Sequence, residues 1–271
     1  MALGAFFCVL RLSQSNGESH RRTDSLEAIL RLIQADAAAT TVYNYQVVNA
    51  YPHDPKAYTQ GLVFDEGFLY ESTGLRGRST LRKIELETGR VLKIHHLADH
   101  YFGEGLTLWQ DKLIQLTWKS RDGFIYNKKS FLKLREFHYD TELWGITHDG
   151  SRLIVSDGTA TLRFLDPNTF SEIKHTEVRD RGIPIMCLNE LEYINGEIYA
   201  NVWGIDYVAR IDPKTCQVLG WIDLTGLRSA LADVERADAL NGIAYDAASA
   251  HIFVTGKRWP KLFEIQLNPK E

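Results

Sequence analysis

The 271-residue sequence has few of the residues that mark several specialised classes of protein. Methionine occurs only twice, which argues against a methionine-rich, adaptable binding surface. The three cysteines, Cys8, Cys187 and Cys216, lack the paired spacing of a zinc site. Cys187 and Cys216 fit either a disulfide or two buried thiols. We therefore expect no catalytic metal and no cofactor.

Strong charge and long apolar runs are also missing. The net charge is −4 and the isoelectric point is near 6.2, which argues against a nucleic-acid-binding protein, since such proteins carry a basic face. No segment approaches the roughly 20 apolar residues that span a bilayer. A content of 44% hydrophobic and 24% charged residues is ordinary for a soluble globular protein.

The N-terminal region has an ambiguous pattern. Residues 1–12 are apolar, but no basic residue precedes them, so they make a poor signal peptide. Residues 25–38 have apolar side chains at helical spacing and predict a helix. We interpret residues 1–42 as a leader or extension, either processed or the product of a misassigned start. Residues 43–271 are then the main domain.

A short motif recurs through that domain. A residue is followed by Gly-Leu or Gly-Ile four times, and Asn189-Glu190-Leu191 takes the same place between the third and the last. The residues that open the five units are Gln60, Glu104, Trp144, Asn189 and Asn241. Their spacing of about 40–50 residues is typical of propeller blades.

Each unit continues with the same order of short strands. A second apolar strand follows the first after a turn, at residues 69–72, 113–116, 153–156, 198–201 and 252–255. Turns such as Asp149-Gly150 and Asn195-Gly196 are typical of β-hairpins. A third and a fourth strand complete the unit, which is the plan of a propeller blade.

The last unit ends after its third strand, at residues 262–267. We interpret residues 45–50, which precede the first unit, as the missing fourth strand. Closing the ring in this way removes an open sheet edge. The sequence therefore predicts an all-β fold, a five-bladed β-propeller whose last blade is closed by an N-terminal strand.

The repeat also predicts where a functional site lies. The first strand of each blade lines the central channel, so the five opening residues should face one another around one axis. Aromatic residues and a lysine occupy neighbouring positions at the same end of the strands. They are Tyr58 and Phe102 before first strands, and Trp118, Trp203 and Lys257 after second strands.

These segments together resemble the plant-type glutaminyl cyclases, or glutamine cyclotransferases, of plants and bacteria. The similarity covers roughly residues 43–268 and consists of many weak motifs in the same order. They are Tyr58-Thr-Gln-Gly-Leu62, Phe102-Gly-Glu-Gly-Leu-Thr107, Leu116-Thr-Trp118, Leu143-Trp-Gly-Ile-Thr147, Leu188-Asn-Glu-Leu-Glu192, Asn201-Val-Trp-Gly204, Leu240-Asn-Gly-Ile-Ala244, Thr255-Gly-Lys257 and Trp259-Pro260. The resemblance implies a five-bladed propeller that converts N-terminal glutamine to pyroglutamate and releases ammonia, unrelated to the zinc-dependent animal enzymes.

The chemistry of that reaction suggests roles for the matching residues. The α-amine attacks the γ-carboxamide of the same residue, so a folded-back conformer supplies much of the acceleration. Glu104, the one acid among the five opening residues, is our candidate for moving the proton. Lys257 and Asn189 are candidates for stabilising the oxyanion, and Gln60 for orienting the substrate.

The resemblance implies that five aromatic residues help Gln60 to bind the substrate and exclude water. They are Tyr58, Phe102, Trp118, Trp144 and Trp203. The expected partners are peptides or proteins with N-terminal glutamine, without nucleic acid or a membrane span, and we expect a monomer. The family implies a secreted or periplasmic location, while the atypical leader leaves a cytoplasmic one open.

Other interpretations of the same residues remain. Taken alone, Glu104 is typical of a solvated strand end. A tryptophan that recurs in each blade is typical of the propeller core, and Lys257 is equally consistent with a surface lysine. A non-catalytic peptide-binding propeller is the first alternative, because fold does not decide function. A calcium-dependent propeller hydrolase is the second, although it needs several carboxylates converging on the axis.

Overall fold

The computed structural model describes residues 16–35, 40–231 and 234–269, and this part of the chain is mostly β-structure. Its helices are α1 (Asn16–Gln34) and a short 3-10 helix, Arg228–Ala230. The strands are β1 (Val42–Pro52), β2 (Thr59–Asp65), β3 (Phe68–Thr73), β4 (Thr80–Glu85), β5 (Val91–His96), β6 (Gly103–Trp109), β7 (Lys112–Thr117), β8 (Asp122–Asn127), β9 (Lys133–His138), β10 (Ile146–His148), β11 (Leu153–Ser156), β12 (Thr161–Leu165), β13 (Glu172–Glu177), β14 (Arg179–Asp180), β15 (Ile183–Pro184), β16 (Leu188–Ile194), β17 (Glu197–Val202), β18 (Tyr207–Ile211), β19 (Val218–Asp223), β20 (Leu240–Asp246), β21 (His251–Gly256) and β22 (Lys261–Pro269).

Consecutive strands pair antiparallel in sets. Strands β2–β5, β6–β9 and β10–β13 each form a four-stranded sheet, and β14 pairs with β15. An eight-stranded sheet has the order β16-β17-β18-β19-β1-β22-β21-β20. The second strand of each set is buried along nearly its whole length, whereas β5, β9 and β13 are largely exposed. The second strands carry the apolar residues expected of strands buried on both faces, and they also bury polar residues such as Glu71, Gln115 and Asn201.

Strand β1 lies between two of these sets. It contains residues 45–50 and pairs antiparallel with β22, with Tyr45 opposite Leu267 and Ala50 opposite Phe263. Its first residues, Val42 and Tyr43, pair in parallel with β19. The all-β class predicted from the sequence is confirmed, while the blade count and the closure stay predictions.

The first strands of the sets lie next to one another. Strand β2 contacts β6, β6 contacts β10, β10 contacts β16, and β16 contacts β20. Strand β20 contacts β2 and completes the cycle. The approach is close, because a Cβ atom added to Gly145 would lie 2.1 Å from the carbonyl oxygen of Asn189, and one added to Gly105 would lie 2.6 Å from that of Trp144. The repeated glycine therefore permits the close packing of neighbouring first strands.

Four of the first strands begin with a β-bulge. The irregularity falls at residues 59–61 of β2, 103–106 of β6, 188–191 of β16 and 240–243 of β20. A bulge leaves a residue out of the ladder and redirects its side chain. The bulges contain Gln60, Glu104, Asn189 and Asn241, so the local geometry sets these side chains apart from the rest of each strand.

Helix α1 packs against the β-structure. The predicted helix is present, but it begins nearer the N-terminus and ends at Gln34. Ile29, Leu32 and Ile33 are buried in a cluster with side chains of β12, β16 and β17. Within the described residues no helix has the length and apolar character needed to cross a membrane. The domain boundary after residue 42 and any processing before it stay predictions.

Two of the cysteines lie in the same cluster. Cys187 and Cys216 are buried free thiols, so the second of the two interpretations left open by the sequence applies. Burial raises the pKa of Cys187 to about 11, which keeps this thiol protonated and unreactive at neutral pH. Cys8 lies outside the described residues.

Candidate active site

A carboxyl group and an ammonium group lie buried together at the start of the first strands. Glu104, in the bulge of β6, is 5% exposed, and Lys257, directly after β21, is 4% exposed. Burial raises the pKa of Glu104 well above its usual value, and the nearby charge of Lys257 offsets part of this rise. Burial likewise lowers the pKa of Lys257, against the opposing effect of Glu104. Such burial favours the neutral form of each group, so Lys257 is not the surface lysine that one interpretation made it.

A row of half-buried aromatic side chains leads away from Lys257. The Lys257 Nζ atom lies 5.1 Å from the centroid of the Tyr58 ring. The Tyr58 ring stands edge-on to Phe102 at 6.1 Å between centroids, and Phe102 stands edge-on to Trp118 at 5.5 Å. The structure thus joins four of the residues selected from the sequence into one wall beside Glu104.

Two acidic residues that the sequence pattern did not indicate, Asp238 and Glu142, form hydrogen bonds to this wall. The Tyr58 hydroxyl bonds to the Asp238 carboxylate, and burial together with that carboxylate raises the pKa of Tyr58. The Trp118 Nε1 atom donates a hydrogen bond of 3.1 Å to Glu142, whose charge also raises the pKa of Glu104. Both acids lie in loops that lead into first strands, outside the repeated motif.

Trp144 and Trp203 form a second aromatic wall. Their rings stand edge-on with centroids 6.4 Å apart, and the guanidinium of Arg22 lies over both. Trp144 is 9% exposed, and its Nε1 atom is buried without a hydrogen-bond partner among the described residues. A buried donor of this kind is costly unless a ligand pairs with it.

The remaining candidates are amides near the axis. The Asn241 Nδ2 atom donates to the Thr59 carbonyl at 3.0 Å and lies 3.4 Å from Oε1 of Gln60. Asn189 is 3% exposed, and its Oδ1 atom has no hydrogen-bond partner within the described ranges. Asn189 lies on β16, which contacts β10, and β10 in turn contacts β6.

Glu190 is a buried acid that follows Asn189 and takes the place where the other units have glycine. Its two carboxyl oxygens accept hydrogen bonds from the main-chain N–H groups of Leu62 and Ile243, at 3.3 and 2.9 Å. Burial, and the charge of Glu192, raise the pKa of Glu190 well above its usual value. Glu190 therefore links three first strands, β16, β2 and β20.

This arrangement can move protons and bind a neutral polar group. A buried carboxyl with a raised pKa is able to accept and return a proton, and Lys257 is able to face a developing negative charge. Among the residues that the structure describes, no three histidine, cysteine, aspartate or glutamate side chains are grouped to hold a metal ion.

Fold and site together define an all-β, propeller-like protein with a buried acid–lysine pair beside an aromatic wall. Residues 23–267 match the family model described as glutamine cyclotransferase. The chain therefore belongs to the glutamine cyclotransferase family, and the resemblance seen in the sequence is confirmed. The match begins inside α1, twenty residues before the expected start of the likeness at residue 43.

Three known proteins are similar to this chain. The chain is 46% identical over 226 residues to the glutaminyl-peptide cyclotransferase of Arabidopsis thaliana, which covers 82% of this chain and 71% of that protein. The crystal structure of Myxococcus xanthus glutaminyl cyclase matches with a TM-score of 0.80 and 37% identity, over 85% of this chain and 99% of that one. The β-propeller domain of Cps50 (Swd1) from Myceliophteria thermophila matches with a TM-score of 0.50 and 10% identity, over 83% and 100% of the two chains. The last likeness shows the propeller-like fold alone.

Proposed function

We propose that this protein is a glutaminyl-peptide cyclotransferase, which converts the N-terminal glutamine of peptides or proteins to pyroglutamate. The observation that carries the proposal is the buried Glu104–Lys257 pair beside an aromatic wall, in a chain of the glutamine cyclotransferase family. The names of the Arabidopsis and Myxococcus relatives describe the same activity.

The reaction balances within one substrate residue. The α-amine nitrogen forms a bond to the γ-carboxamide carbon, and the bond from that carbon to the amide nitrogen breaks. The amine loses one proton and the leaving nitrogen gains one, so pyroglutamyl peptide and ammonia are formed without a co-reactant. Because both reacting groups belong to one residue, holding the folded-back conformer supplies much of the acceleration.

We assign the proton transfer to Glu104. Its carboxylate takes the proton from the attacking amine and returns it to the leaving nitrogen, as a general base and then a general acid. The raised pKa of Glu104 supports this role, because a carboxyl that holds its proton more tightly than usual is a better base for the amine proton.

We assign stabilisation of the tetrahedral intermediate to Lys257 and Asn189. The intermediate carries its negative charge on the former amide oxygen, which a buried cation or an amide N–H stabilises. Gln60 orients the substrate amide or amine. The unpaired Asn189 Oδ1 and Trp144 Nε1 atoms support a polar ligand here, since buried polar atoms otherwise find partners.

We assign the walls of the pocket to the two aromatic groups. Tyr58, Phe102 and Trp118 line the side next to Lys257, while Trp144 and Trp203 line the other. Exclusion of water by these rings strengthens the interactions of Glu104 and Lys257 with the substrate.

For the architecture, we propose five blades of four strands around the axis of β2, β6, β10, β16 and β20. In this arrangement β1 is the outer strand of the last blade, and the parallel contact with β19 joins that blade to the fourth. The cyclic order of contacts between first strands and the β1–β22 pairing support it. We also propose that the protein is a monomer, which light scattering on the purified chain would test.

A coupled ammonia assay with a short peptide that begins with glutamine tests the proposed function. We expect ammonia release together with a pyroglutamyl product, identified by mass spectrometry, at the same rate with and without a chelator. A peptide that begins with asparagine serves as the control. Binding of the glutamine peptide without any ammonia release would favour the binding module, and activity that a chelator abolishes would favour a metal-dependent enzyme.

A further inference from the structure

Helix α1 has a fixed place beside the second aromatic wall. Its buried residues Ile29, Leu32 and Ile33 anchor it to the β-structure, and Arg181 donates a hydrogen bond to the main-chain oxygen of Leu32. At the other end of the contact, a Cβ atom on Gly204 would lie 2.6 Å from Leu26. The helix is thus packed down next to Trp203, directly before Gly204.

Arg22 connects this helix to the candidate active site. Its guanidinium carbon lies 5.7 Å from the centroid of the Trp144 ring and 6.0 Å from that of Trp203. An arginine held over aromatic faces keeps its charge, and its planar fork of N–H groups matches the geometry of a carboxylate. Two of the residues assigned to the pocket wall therefore hold a fixed cation.

A cavity opens at this point. It has a volume of about 380 Å³ and is lined by Arg22, Asp24, Ser25 and Met186. Pockets that bind small ligands begin at about 300 Å³, so the space has room for the second residue of a peptide substrate. Met186 lies three residues before Asn189 in the sequence.

Two opposite charges line the cavity, and they differ in their exposure to solvent. Asp24 also lines it, but Asp24 is exposed, whereas Arg22 is half-buried against the two indole rings. Solvent screens an exposed charge more strongly than a partly buried one. The positive charge of Arg22 is therefore the less screened of the two charges that line the cavity.

We propose that α1 forms a second substrate subsite, in which the Arg22 guanidinium binds a carboxylate on the C-terminal side of the cyclising glutamine. This inference rests on the proposed function, because it places the glutamine at Glu104 and the rest of the peptide towards Trp144 and Trp203. The carboxylate is either the side chain of an acidic second residue or the free end of a dipeptide. Arg22 is thus a residue that determines specificity and takes no part in the proton transfers.

The test compares four substrates in the full-length protein: Gln-Ala amide, Gln-Glu amide, Gln-Lys amide and Gln-Ala with a free carboxylate. Arg22→Gln removes the charge, and Arg31→Gln is the matched control, because Arg31 lies on the same helix with an exposed side chain paired to Glu27. We expect Arg22→Gln to lower kcat/KM about 3- to 10-fold for substrates with a carboxylate, relative to Gln-Ala amide, since about 1.4 kcal/mol corresponds to tenfold. Arg31→Gln should leave these ratios unchanged.

The two acidic substrates identify the source of the carboxylate, since a loss with either one supports the subsite. Arg22→Lys keeps the charge and should retain part of the preference, which also covers the case in which Arg22→Gln does not fold. Ratios that are equal in the wild type, Arg22→Gln and Arg22→Lys would overturn the subsite. A rise in kcat/KM for all four substrates in Arg22→Gln would also overturn it, because the helix would then obstruct the pocket. Failure of the wild type to release ammonia from Gln-Ala amide would instead refute the proposed function.

Discussion

Glu104 and Glu190 are two buried acids close to one axis, and their surroundings differ. Both are at most 5% exposed, and burial raises the pKa of both. Glu104 faces the charge of Lys257 in an aromatic pocket, whereas Glu190 accepts hydrogen bonds from the main chain of Leu62 and Ile243. Burial and a shifted pKa alone therefore do not distinguish the proposed catalytic acid, Glu104, from Glu190. The two acids differ in their partners, because main-chain donors fix the Glu190 carboxyl within the fold, whereas Glu104 lies in a pocket where a substrate could exchange its proton.

The largest expected effect comes from Glu104→Gln. Glutamine keeps the size of the side chain but cannot carry a proton, so kcat should fall by about 10²–10⁴-fold while KM changes little. Thermal unfolding should remain close to that of the wild type. Glu142→Gln is the control, because Glu142 bonds Trp118 in the same wall, and it should cost much less. Near-wild-type turnover of Glu104→Gln would remove Glu104 from the mechanism.

Lys257→Ala removes the charged partner of Glu104. Loss of a group that stabilises the oxyanion typically lowers kcat by about 10²–10³-fold. Because the charge of Lys257 lowers the pKa of Glu104, its removal should raise that pKa further. The limb of the pH–rate profile that reports ionisation of Glu104 should then move to higher pH. A limb that stays in place would show that the two groups do not interact during catalysis, and one that moves to lower pH would contradict the stabilisation of the Glu104 carboxylate by Lys257.

Glu190→Ala should affect stability instead. It leaves two buried main-chain donors unpaired, and each such group costs about 1–3 kcal/mol. We expect the free energy of unfolding in urea to fall by about 2–5 kcal/mol, with kcat per folded molecule nearly unchanged. Glu190→Gln keeps one acceptor and should lose less. If Glu190→Ala were as stable as the wild type but inactive, the roles of the two acids would be reversed.

The smallest effect concerns the pH dependence of stability. Burial raises the pKa of Glu192 from 4.5 to about 8, although the residue as a whole is only partly buried. The folded protein therefore keeps a proton that the unfolded chain has released, and the free energy of unfolding falls as pH rises across this interval. In Glu192→Gln the fall should be less steep, by up to about 1.4 kcal/mol per pH unit. Urea titrations at several pH values measure this slope, and equal slopes would contradict the shift.

The sequence repeat predicts only part of this difference between Glu104 and Glu190. The opening residues and the Gly-Leu pattern predicted the first strands, and glycines such as Gly105 lie where neighbouring strands approach each other closely. Glu190 occupies the corresponding place in the fourth unit, and an acid where glycine recurs is a signal that was available and unused. The role of that acid depends on main-chain donors from β2 and β20, more than fifty residues away along the chain.

For other residues of the site, the neighbouring sequence gives no indication that they lie there. Asp238 and Glu142 reach Tyr58 and Trp118 only because their loops fold over the start of the first strands. The contact of Arg22 with Trp144 and Trp203 joins segments more than a hundred residues apart. Helical periodicity predicted α1 itself, but it gives no information about which surface the helix covers.

The pairing of β1 with β22 has a mechanical consequence. In this antiparallel ladder the first residues of β1 lie opposite the last residues of β22, with Tyr43 facing Pro269, and Pro52 faces Lys261 at the far end. A force that pulls Tyr43 and Pro269 apart loads the outermost rung first, so the hydrogen bonds between β1 and β22 break one after another, as in a zipper. When heat unfolds the protein, by contrast, all the hydrogen bonds between β1 and β22 contribute to stability together. This seam is therefore far weaker against tension applied at its open end than its number of hydrogen bonds suggests.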